Sequence, residues 1–553
     1  MDIQRVLILL GLAVTSYMLI LAWNEDYGQV TDIQAPELVD TPIATLPSQP
    51  TVPVAESAEI VPRLEDHNVS VKPVTVQARK VIQVETDVLK VQIDLLGGDI
   101  VSVALPQYPM TLETPDIPFL LVDPGNSYVV QSGLIGPNGT DKQGFRPLFS
   151  TTRNNFNLGD GEDLTVTLRY VQPDGVEVLK HFLFRRGDYL IGMKYEINNY
   201  STNDWRAGLF VQIKRDAEDP VSVGGNSMGL QPYVGGATRS DEELYRKLEF
   251  DDIEDESYKL TREDGYVAMV QHYFVSAWIP SPGTSNTYQA RKLKNQDVYL
   301  FGFTTPAISV PAGANDSVSA QFYVGPKDQY RLRDIASGLD LTVDYGFLWW
   351  LAQPLFYLLT VIHSVVGNWG LAIIGLTVIV KSLLYPLSAA SFRSMAKMRK
   401  LQPEMARLKE RFGEDRQQFS QAMMDLYKKE GANPLGGCFP ILLQMPVFLA
   451  LYWTLMESVE LRQAPFFLWI HDLSAMDPYF ILPIAMGISM YLTQMMQPEP
   501  PDPVQAKVFK LMPIMFTFFF LWFPSGLVLY WLVNNILSLL QQLYVTRQLE
   551  KAT

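Results

Sequence analysis

The chain has 553 residues, of which 48% are hydrophobic, and this length is sufficient for several domains. Its formal net charge of -15 is concentrated in residues 1–343, which contain 45 acidic and 28 basic residues, whereas residues 344–553 contain 14 acidic and 16 basic residues. We expect no binding of DNA by the acidic part, because contact with phosphates requires a basic surface. The only cysteine, Cys438, excludes an internal disulfide bond.

An apolar run over residues 6–23 is long enough to cross a membrane. A cleaved signal peptide is the alternative, but it would have a shorter apolar core and a cleavage site flanked by small residues, whereas bulky residues continue here to Trp23. We therefore predict an uncleaved transmembrane anchor over residues 1–23. Arg5 precedes the run and Glu25 and Asp26 follow it, so the positive-inside rule places the N-terminus in the cytoplasm.

Residues 24–75 contain many prolines and no apolar period, which predicts a proline-rich linker. Residues 76–343 then alternate with period two between turn sequences such as Pro173-Asp174-Gly175, which predicts antiparallel strands in a large β-sandwich domain on the outer side of the membrane. Only His181 and His272 fall in this domain, and neither a metal-ligand spacing nor a phosphate-binding loop occurs. We expect no enzyme chemistry, no cofactor and no metal.

Two adjacent apolar stretches, residues 344–367 and 368–388, could both cross a membrane by hydropathy alone. A basic segment follows them, and the positive-inside rule keeps that segment in the cytoplasm only if one of the two crosses. We assign residues 344–367, with Trp349 and Trp350, to an amphipathic helix in the outer interface, and residues 368–388 to transmembrane helix 2. Four later crossings are predicted within residues 433–546, at residues 438–459, 479–496, 508–523 and 527–545.

The connections agree with six crossings that leave both termini in the cytoplasm. An acidic outer loop contains Glu460, Asp472 and Asp477, a proline-rich inner loop covers residues 497–503, and a tight outer turn has the sequence Pro524-Ser525-Gly526. Residues 547–553 are then a short cytoplasmic tail.

Lys381 is a single charge inside transmembrane helix 2, and Thr377 shares its face of the helix four residues earlier. A lone ammonium near the bilayer centre costs roughly 2.5–3.5 kcal/mol on insertion scales, so it must reach the headgroups, meet water or face polar partners. Further polar residues occur in the other predicted crossings: Gln444, Gln494, Thr517, Asn534 and Asn535. Snorkelling of Lys381 and a water-accessible cavity both remain open at this point.

Residues 389–432 predict a cytoplasmic helical hairpin. Apolar residues spaced by three and four from Phe392 to Phe412 form one helix stripe, and a second short helix with Met423 and Leu426 on one face follows Gly413. The candidate docking residues are Arg393, Lys397, Arg399, Lys400, Arg407, Lys409 and Arg411. A solvated helix surface and a docking arm for lipid headgroups, ribosomal RNA or a partner protein both explain these charges.

Three classes of function are compatible with a membrane protein of this composition. An ion-coupled small-solute transporter normally has an acid within its spans and two matching halves, whereas the spans here contain no Asp and only Glu457, at an outer end. A periplasmic sugar-binding scaffold on a membrane anchor is a further alternative. A lone cation among proline-bent, methionine-rich helices fits better with a membrane protein that receives a polypeptide with a polar or acidic segment.

Four segments of the chain are more specific than these patterns: NPLGGCFP at residues 433–440, QMPVF at 444–448, LRQAPF at 461–466 and LWFPSGLVLY at 521–530. With them the chain resembles the YidC/Oxa/Alb family of membrane protein insertases, of the Gram-negative type with a large periplasmic domain. The likeness extends over the whole chain. It implies a polytopic α-helical membrane protein with six spans and a five-helix core, a periplasmic β-sandwich domain and a cytoplasmic helical hairpin.

The resemblance implies a non-enzymatic insertase and chaperone that inserts, folds and helps assemble inner-membrane proteins through a hydrophilic groove closed to the outside. The family has an arginine in this groove where the chain has Lys381, and a tyrosine where it has Trp531. The implied groove and client-binding residues are Lys381, Thr377, Gln444, Tyr530, Trp531, Asn534 and Asn535. The implied hydrophobic slide for clients consists of Phe448, Met486, Met490 and Phe518.

The same resemblance implies partners and a location. Clients are nascent membrane proteins, which such insertases handle alone or with the Sec translocon (SecYEG and SecDF). The hairpin and the C-terminal tail help to recruit the ribosome and signal-recognition targeting factors, and the helices contact membrane lipids. The expected location is the bacterial inner membrane, with the large domain in the periplasm.

Overall fold

The computed structural model describes residues 80–142, 144–218, 232–294, 296–412, 415–430, 439–497 and 503–551. The predicted anchor, residues 1–23, and the predicted linker, residues 24–75, lie outside the described residues. The described residues belong to two units, a β-rich unit that ends at Val343 and a helical unit that begins at Asp344.

Strands make up most of the β-rich unit. Their bounds are β1 Val81–Glu85, β2 Lys90–Asp94, β3 Asp99–Pro109, β4 Pro118–Val122, β5 Val129–Ile135, β6 Asn155–Asn157, β7 Asp163–Val171, β8 Val176–Arg185, β9 Leu190–Asn199, β10 Trp205–Arg215, β11 Gly235–Thr238, β12 Arg246–Leu248, β13 Tyr258–Glu263, β14 Val267–Val270, β15 Phe274–Pro280, β16 Ser285–Lys292, β17 Tyr299–Thr304, β18 Ile308–Val310 and β19 Asn315–Pro326. They form an 11-stranded sheet, in the order β13-β16-β17-β10-β5-β3-β2-β1-β6 with β18 beside β10 and β4 beside β3, and an 8-stranded sheet, in the order β12-β11-β14-β15-β19-β9-β8-β7.

The predicted antiparallel meander is confirmed in β7, β8 and β9. Val166 pairs with Phe182, and Val178 pairs with Ile197, so alternate apolar residues of neighbouring strands share one buried face. The turn between β7 and β8 has Gly175 at φ 95°, a left-handed conformation that glycine adopts without a steric penalty. The period-two pattern therefore specified both the strands and their buried face.

A polar cluster lies among the buried residues between the two sheets. Lys180 of β8 is fully buried, and its Nζ donates hydrogen bonds to the carbonyl oxygens of Gly97 (3.0 Å) and Gly98 (2.7 Å) and to Oγ of Ser132 (2.7 Å). Arg146 forms ion pairs with Asp99 and Asp141 beside it. Each N–H of the Lys180 ammonium has an acceptor, as a buried charge requires.

Helices account for the rest of the described structure. In the β-rich unit these are α1 Phe250–Asp255 and α2 Gln329–Ile335. In the helical unit they are α3 Trp349–Val366, α4 Trp369–Leu383, α5 Tyr385–Lys400, α6 Gln402–Phe412, α7 Arg416–Glu430, α8 Phe439–Glu457, α9 Ile481–Met495, α10 Pro503–Phe519 and α11 Ser525–Lys551.

The boundary between α3 and α4 is set by two adjacent residues. Gly367 ends α3 in the left-handed conformation, with φ 66°, and its N–H donates to the carbonyl oxygen of His363. Asn368 caps α4, because its side chain accepts a hydrogen bond from the N–H of Leu371. The chain turns again after α4, and α4 and α5 meet at an angle of 67°. Pro386 in the first turn of α5 cannot supply the backbone N–H that would continue α4.

The apolar stripe from Phe392 to Phe412 is divided between two helices, and the prediction of one helix was wrong. α5 ends at Lys400, and α6 begins at Gln402. The two halves of the stripe face different partners: Phe392 and Met395 pack with Val545 of α11, whereas Met405 packs with Tyr427 of α7. An early residue of α6 thus meets a late residue of α7, which makes this helix pair antiparallel.

Length and composition mark two of the described helices as able to cross a membrane, Gly346–Val366 and Ser525–Leu549. The bent pair Trp369–Leu383 and Tyr385–Lys400 meets the same criteria when it is taken as one span, and Ile481–Met495 is a shorter apolar helix. The helical region therefore contains candidate spans. The count of six, and the interfacial position of residues 344–367, stay predictions.

Candidate functional site

Lys381 lies in the last turn of α4, where the negative end of the helix dipole favours a cation. Its residue is 7% exposed, and its Nζ donates hydrogen bonds to Oε1 of Gln444 in α8 (3.2 Å) and to Oγ of Ser538 in α11 (2.7 Å). Within the part of the chain that the structure describes, no carboxylate forms an ion pair with Lys381. The ammonium is thus held by neutral oxygen atoms from two other helices.

The partners of Lys381 are themselves linked. The side chain of Gln444 donates from Nε2 to Oδ1 of Asn534, and Oγ of Ser538 donates to the backbone oxygen of Asn534 at 2.8 Å. Ser538 follows Asn534 by four residues in α11, so the two side chains share one face of that helix. Gln541 adds a bond from its Nε2 to the backbone oxygen of Lys381 at 3.4 Å. α4, α8 and α11 therefore meet in one connected polar network inside an apolar bundle.

Two predicted groove residues face elsewhere. Thr377 is 1% exposed, and its hydroxyl donates to the backbone oxygen of Ile373 at 2.6 Å, one turn back in its own helix. Asn535 donates from Nδ2 to Oγ of Ser489 in α9 at 3.2 Å. Thr377 therefore bonds within α4 and Asn535 links α11 to α9, and neither of these two hydrogen bonds involves the ammonium of Lys381.

Tyr530 and Trp531 border the network on its aromatic side. The ring of Phe448 lies 4.5 Å from that of Trp531 in an edge-on arrangement and 6.4 Å from that of Tyr530. Trp531 also packs against Phe520 at 5.3 Å. Its Nε1 is buried and has no hydrogen-bond partner among the described residues. An indole donor without an acceptor is costly in an apolar bundle, because the N–H gives up water without a replacement.

The four predicted slide residues differ in exposure. Phe518 in α10 is 58% exposed, whereas Met486 in α9 is fully buried. Phe448 and Met490 are half-buried. The outward-facing apolar residues beside them are Ile484, Ile488 and Tyr491 in α9 and Leu511, Ile514 and Met515 in α10.

The candidate docking residues of the predicted hairpin are all exposed. They lie along α5 and α6: Arg393, Lys397, Arg399, Lys400, Arg407, Lys409 and Arg411. Their apolar neighbours point into the bundle or against α7, so the charges form the outer faces of these helices.

Sequence reasoning did not find Ser538 and Gln541. Both lie on the face of α11 that begins at Asn534, at spacings of four and seven residues, and that spacing was the available signal. Serine and glutamine near the end of an apolar run are common, and only the position of α4 beside α11 shows that these two approach Lys381.

Comparison with known proteins gives the family. Residues 361–552 match the family model described as 60Kd inner membrane protein, and residues 81–358 match the one described as YidC periplasmic domain. The membrane protein insertase YidC of Cellvibrio japonicus (strain Ueda107) is 52% identical over 559 residues, which cover 100% of this chain and 99% of that protein. This chain belongs to the YidC family of membrane protein insertases.

The chain is similar to further proteins of this name. The membrane protein insertase YidC of Pseudomonas putida (strain W619) is 51% identical over 567 residues, with 100% of this chain and 99% of that protein covered. A solved structure described as an active YidC insertase with the first transmembrane domain resolved matches with a TM-score of 0.38 and 19% identity, over 84% of this chain and 92% of that one. The β-rich unit corresponds to the periplasmic domain of the YidC family, and the family is named for insertion, not for a catalysed reaction.

Proposed function

We propose that this chain inserts nascent membrane proteins into the inner membrane and assists their folding and assembly, with the polar segment of a client received next to Lys381. The observation that carries the proposal is the neutral environment of this lysine, which is bound by Gln444 and Ser538 among apolar helices. A cation whose partners are neutral can form a stronger bond with an anion that arrives later. An acidic or polar client segment supplies such a group.

Apolar segments of clients would leave the polar network along the exposed faces of α9 and α10. Phe518 supports this route, because more than half of it is exposed beside Ile514 and Leu511. Met486 does not support it, since it is buried within the bundle, and Ile488 on the same helix is the better candidate for a client contact. A row of exposed apolar side chains next to a polar network provides a path from the groove to lipid.

The orientation and the remaining partners are part of the proposal. The exposed basic residues of α5 and α6 support a cytoplasmic location and docking to an anionic surface, such as that of the ribosome or of lipid headgroups. We place both termini in the cytoplasm, with six crossings. Cooperation with the Sec translocon and with signal-recognition targeting factors follows from family membership and is proposed on that basis.

The test is insertion in proteoliposomes with two clients that differ only in whether the translocated segment carries acidic residues. Replacement of Lys381 by Ala or Glu is expected to slow the acidic client by roughly tenfold, equivalent to about 1.4 kcal/mol of barrier, and to slow the neutral client much less. Lys381→Arg retains the charge and should retain most of the rate. Insertion is measured as protease protection of the translocated segment.

Lys507→Ala is the matched control, because Lys507 is an exposed lysine of α10 outside the polar network. It should leave both rates unchanged. If the Lys381 variants inserted both clients at the wild-type rate, the electrostatic role of Lys381 would be excluded. If the wild-type protein inserted neither client, the insertase proposal itself would be contradicted.

A further inference from the structure

The segment between α8 and α9, residues 458–480, uses two of its three acidic side chains, Asp472 and Asp477, to bind groups of the same segment and the start of α9. Asp477 is fully buried, and its carboxylate accepts hydrogen bonds from Nε1 of Trp469 (2.9 Å), the N–H of Tyr479 (3.0 Å) and the N–H of Leu482 (2.7 Å). Oδ1 of Asp472 accepts from the N–H of Gln463 at 3.0 Å. These two carboxylates are used by hydrogen bonds within the loop and at the start of α9, so they are not free charges on its surface.

The apolar side chains of the same segment point outward. Phe467 is 52% exposed, and Leu468 is 81% exposed. Leu468 also has a left-handed backbone conformation, with φ 61°, which is sterically unfavourable for leucine. A loop in water has the opposite arrangement, because exposure of large apolar side chains is unfavourable and its acidic groups are hydrated at no cost.

This outward arrangement is held by contacts on both sides of the tip. Nδ2 of Asn368, the cap of α4, donates to the backbone oxygen of Pro465 at 3.2 Å. The N–H of Gly526 donates to the oxygen of Leu473 at 2.9 Å, and the N–H of Ser525 donates to the oxygen of Ala475 at 2.7 Å. Hydrogen bonds therefore fix the loop on both sides of Leu468, and the exposure of this side chain belongs to a held conformation.

The ends of four helices show that this loop lies at one end of the helix bundle. α4 begins at Trp369 and α11 begins at Ser525, and both starts are bonded to the loop, which itself runs from the end of α8 to the start of α9. Apolar exposure continues around it, with Val365 at 83% and Ile481 at 42%. In an inner-membrane protein, the end of a helix bundle lies at the lipid interface, where tryptophan side chains such as Trp469 are common.

We infer that Phe467 and Leu468 insert into the acyl chains of the membrane leaflet at this end of the bundle. The occupant is lipid, because large apolar side chains are also exposed where α3 ends, at Val365, and where α9 begins, at Ile481, and because Leu468 is exposed in an unfavourable backbone conformation. The hydrogen bond from Asn368 to Pro465 connects this anchored loop to the start of α4, the helix that carries Lys381. The inference goes beyond the proposed insertion activity and does not depend on the client.

The test uses the full chain with Cys438→Ser, reconstituted in liposomes of phosphatidylethanolamine and phosphatidylglycerol, with an environment-sensitive fluorophore on a single new cysteine. Phe467→Cys and Leu468→Cys report on the tip, and Phe467→Cys leaves the backbone at position 468 unchanged. His471→Cys is the matched control, because His471 is an exposed polar residue of the same loop. Quenching by brominated acyl chains is compared with quenching by aqueous iodide.

At positions 467 and 468 we expect quenching by brominated lipid to exceed that at position 471 several-fold, and quenching by iodide to be several-fold weaker than at 471. If iodide quenched all three positions equally, the loop would lie in water and the inference would be wrong. If 467 and 468 were protected from both quenchers, a protein surface would cover the tip, and lipid would be excluded as its occupant.

Discussion

Lys180 and Lys381 are both buried, but they differ in their hydrogen-bond acceptors, and this difference indicates a structural role for Lys180 and a binding role for Lys381. Lys180 donates to three oxygen atoms and lies near the ion pairs of Arg146 with Asp99 and Asp141. Lys381 is bound by two neutral side chains. The first lysine has a complete set of acceptors within the domain, so it links the two sheets and keeps no donor for a ligand. Among the residues that the structure describes, the second has two acceptors, both neutral, so it is suited to bind a visiting anion.

The burial of Lys180 leads us to predict that the stability of the β-rich unit depends on pH. Burial lowers the pKa of this lysine to about 7 against the opposing effect of Asp99 and Asp141, whereas an unfolded lysine titrates near 10.5. Between these pKa values the unfolded state binds more protons, so the free energy of unfolding rises with pH above about 7, by on the order of a few kcal/mol. The expected result is a higher urea midpoint for the outer domain at about pH 9.5 than at about pH 7.

The measurement is pulse proteolysis of the full chain in detergent, read from fragments of the outer domain. Lys180→Met should remove most of the difference between the two pH values. Lys194→Met, at an exposed position of the adjacent strand, should keep it. An equal rise in the Lys180→Met variant would assign the pH dependence to other groups.

At the scale of elements, periodicity in the sequence predicted those strands and turns that are determined by neighbouring residues in the chain. The meander β7–β9 follows from alternation and turn glycines, because both act within a few residues. The bend between α4 and α5 and the break at Leu401 were missed, since spacings of three and four continue across the break while the packing partner changes from α11 to α7. Polarity alone likewise did not distinguish Lys381, Gln444 and Asn534, which share one hydrogen-bond network, from Thr377 and Asn535, whose side chains bond elsewhere.

The contact between α9 and α10 predicts an effect of Gly487. A Cβ at this position would overlap Oγ1 of Thr517, which is itself held by a bond to the oxygen of Pro513. Small residues permit such close approach of membrane helices. Gly487→Ala should therefore lower the thermal unfolding midpoint in detergent, with a cost of about 1–3 kcal/mol for overpacking.

A second substitution separates this clash from a general effect of alanine. Thr517→Ala removes the overlapping oxygen, so the Gly487→Ala, Thr517→Ala double variant should recover part of the lost stability. Gly375→Ala, whose new Cβ would meet only a methyl group of Ile362 at 3.2 Å, should cost less. Equal losses for Gly487→Ala and Gly375→Ala would contradict the close contact.

At the scale of the whole molecule, the charge of the chain is divided between its two parts. The strongly negative net charge lies in residues 1–343, and a group of exposed basic residues in the remainder lies on α5 and α6. An acidic soluble domain and a basic segment beside membrane helices are expected on opposite sides of a bacterial inner membrane. The division of charge is read directly from composition, because it depends on sums over many residues, whereas the orientation that it predicts stays a prediction.

The side of the membrane on which α5–α7 lie depends on α3. Gly346–Val366 is long and apolar enough to cross. If it did cross as well as α4, residues 389–432, with ten basic and six acidic residues, would lie in the periplasm. Retention of basic segments in the cytoplasm opposes that arrangement. The exposed Trp349, Trp350 and Tyr357 of α3 also suit an aromatic position at the interface.

Cysteine accessibility decides between the two arrangements. In a Cys438→Ser background, an impermeant maleimide should label His471→Cys in intact spheroplasts but label Gln418→Cys, in α7, only after lysis. Both positions are exposed in the folded chain, so a difference in labelling reflects the membrane and not burial. Labelling of Gln418→Cys without lysis would show that α3 crosses the membrane. The basic residues of α5 and α6 would then lie in the periplasm, where they could not contact a ribosome.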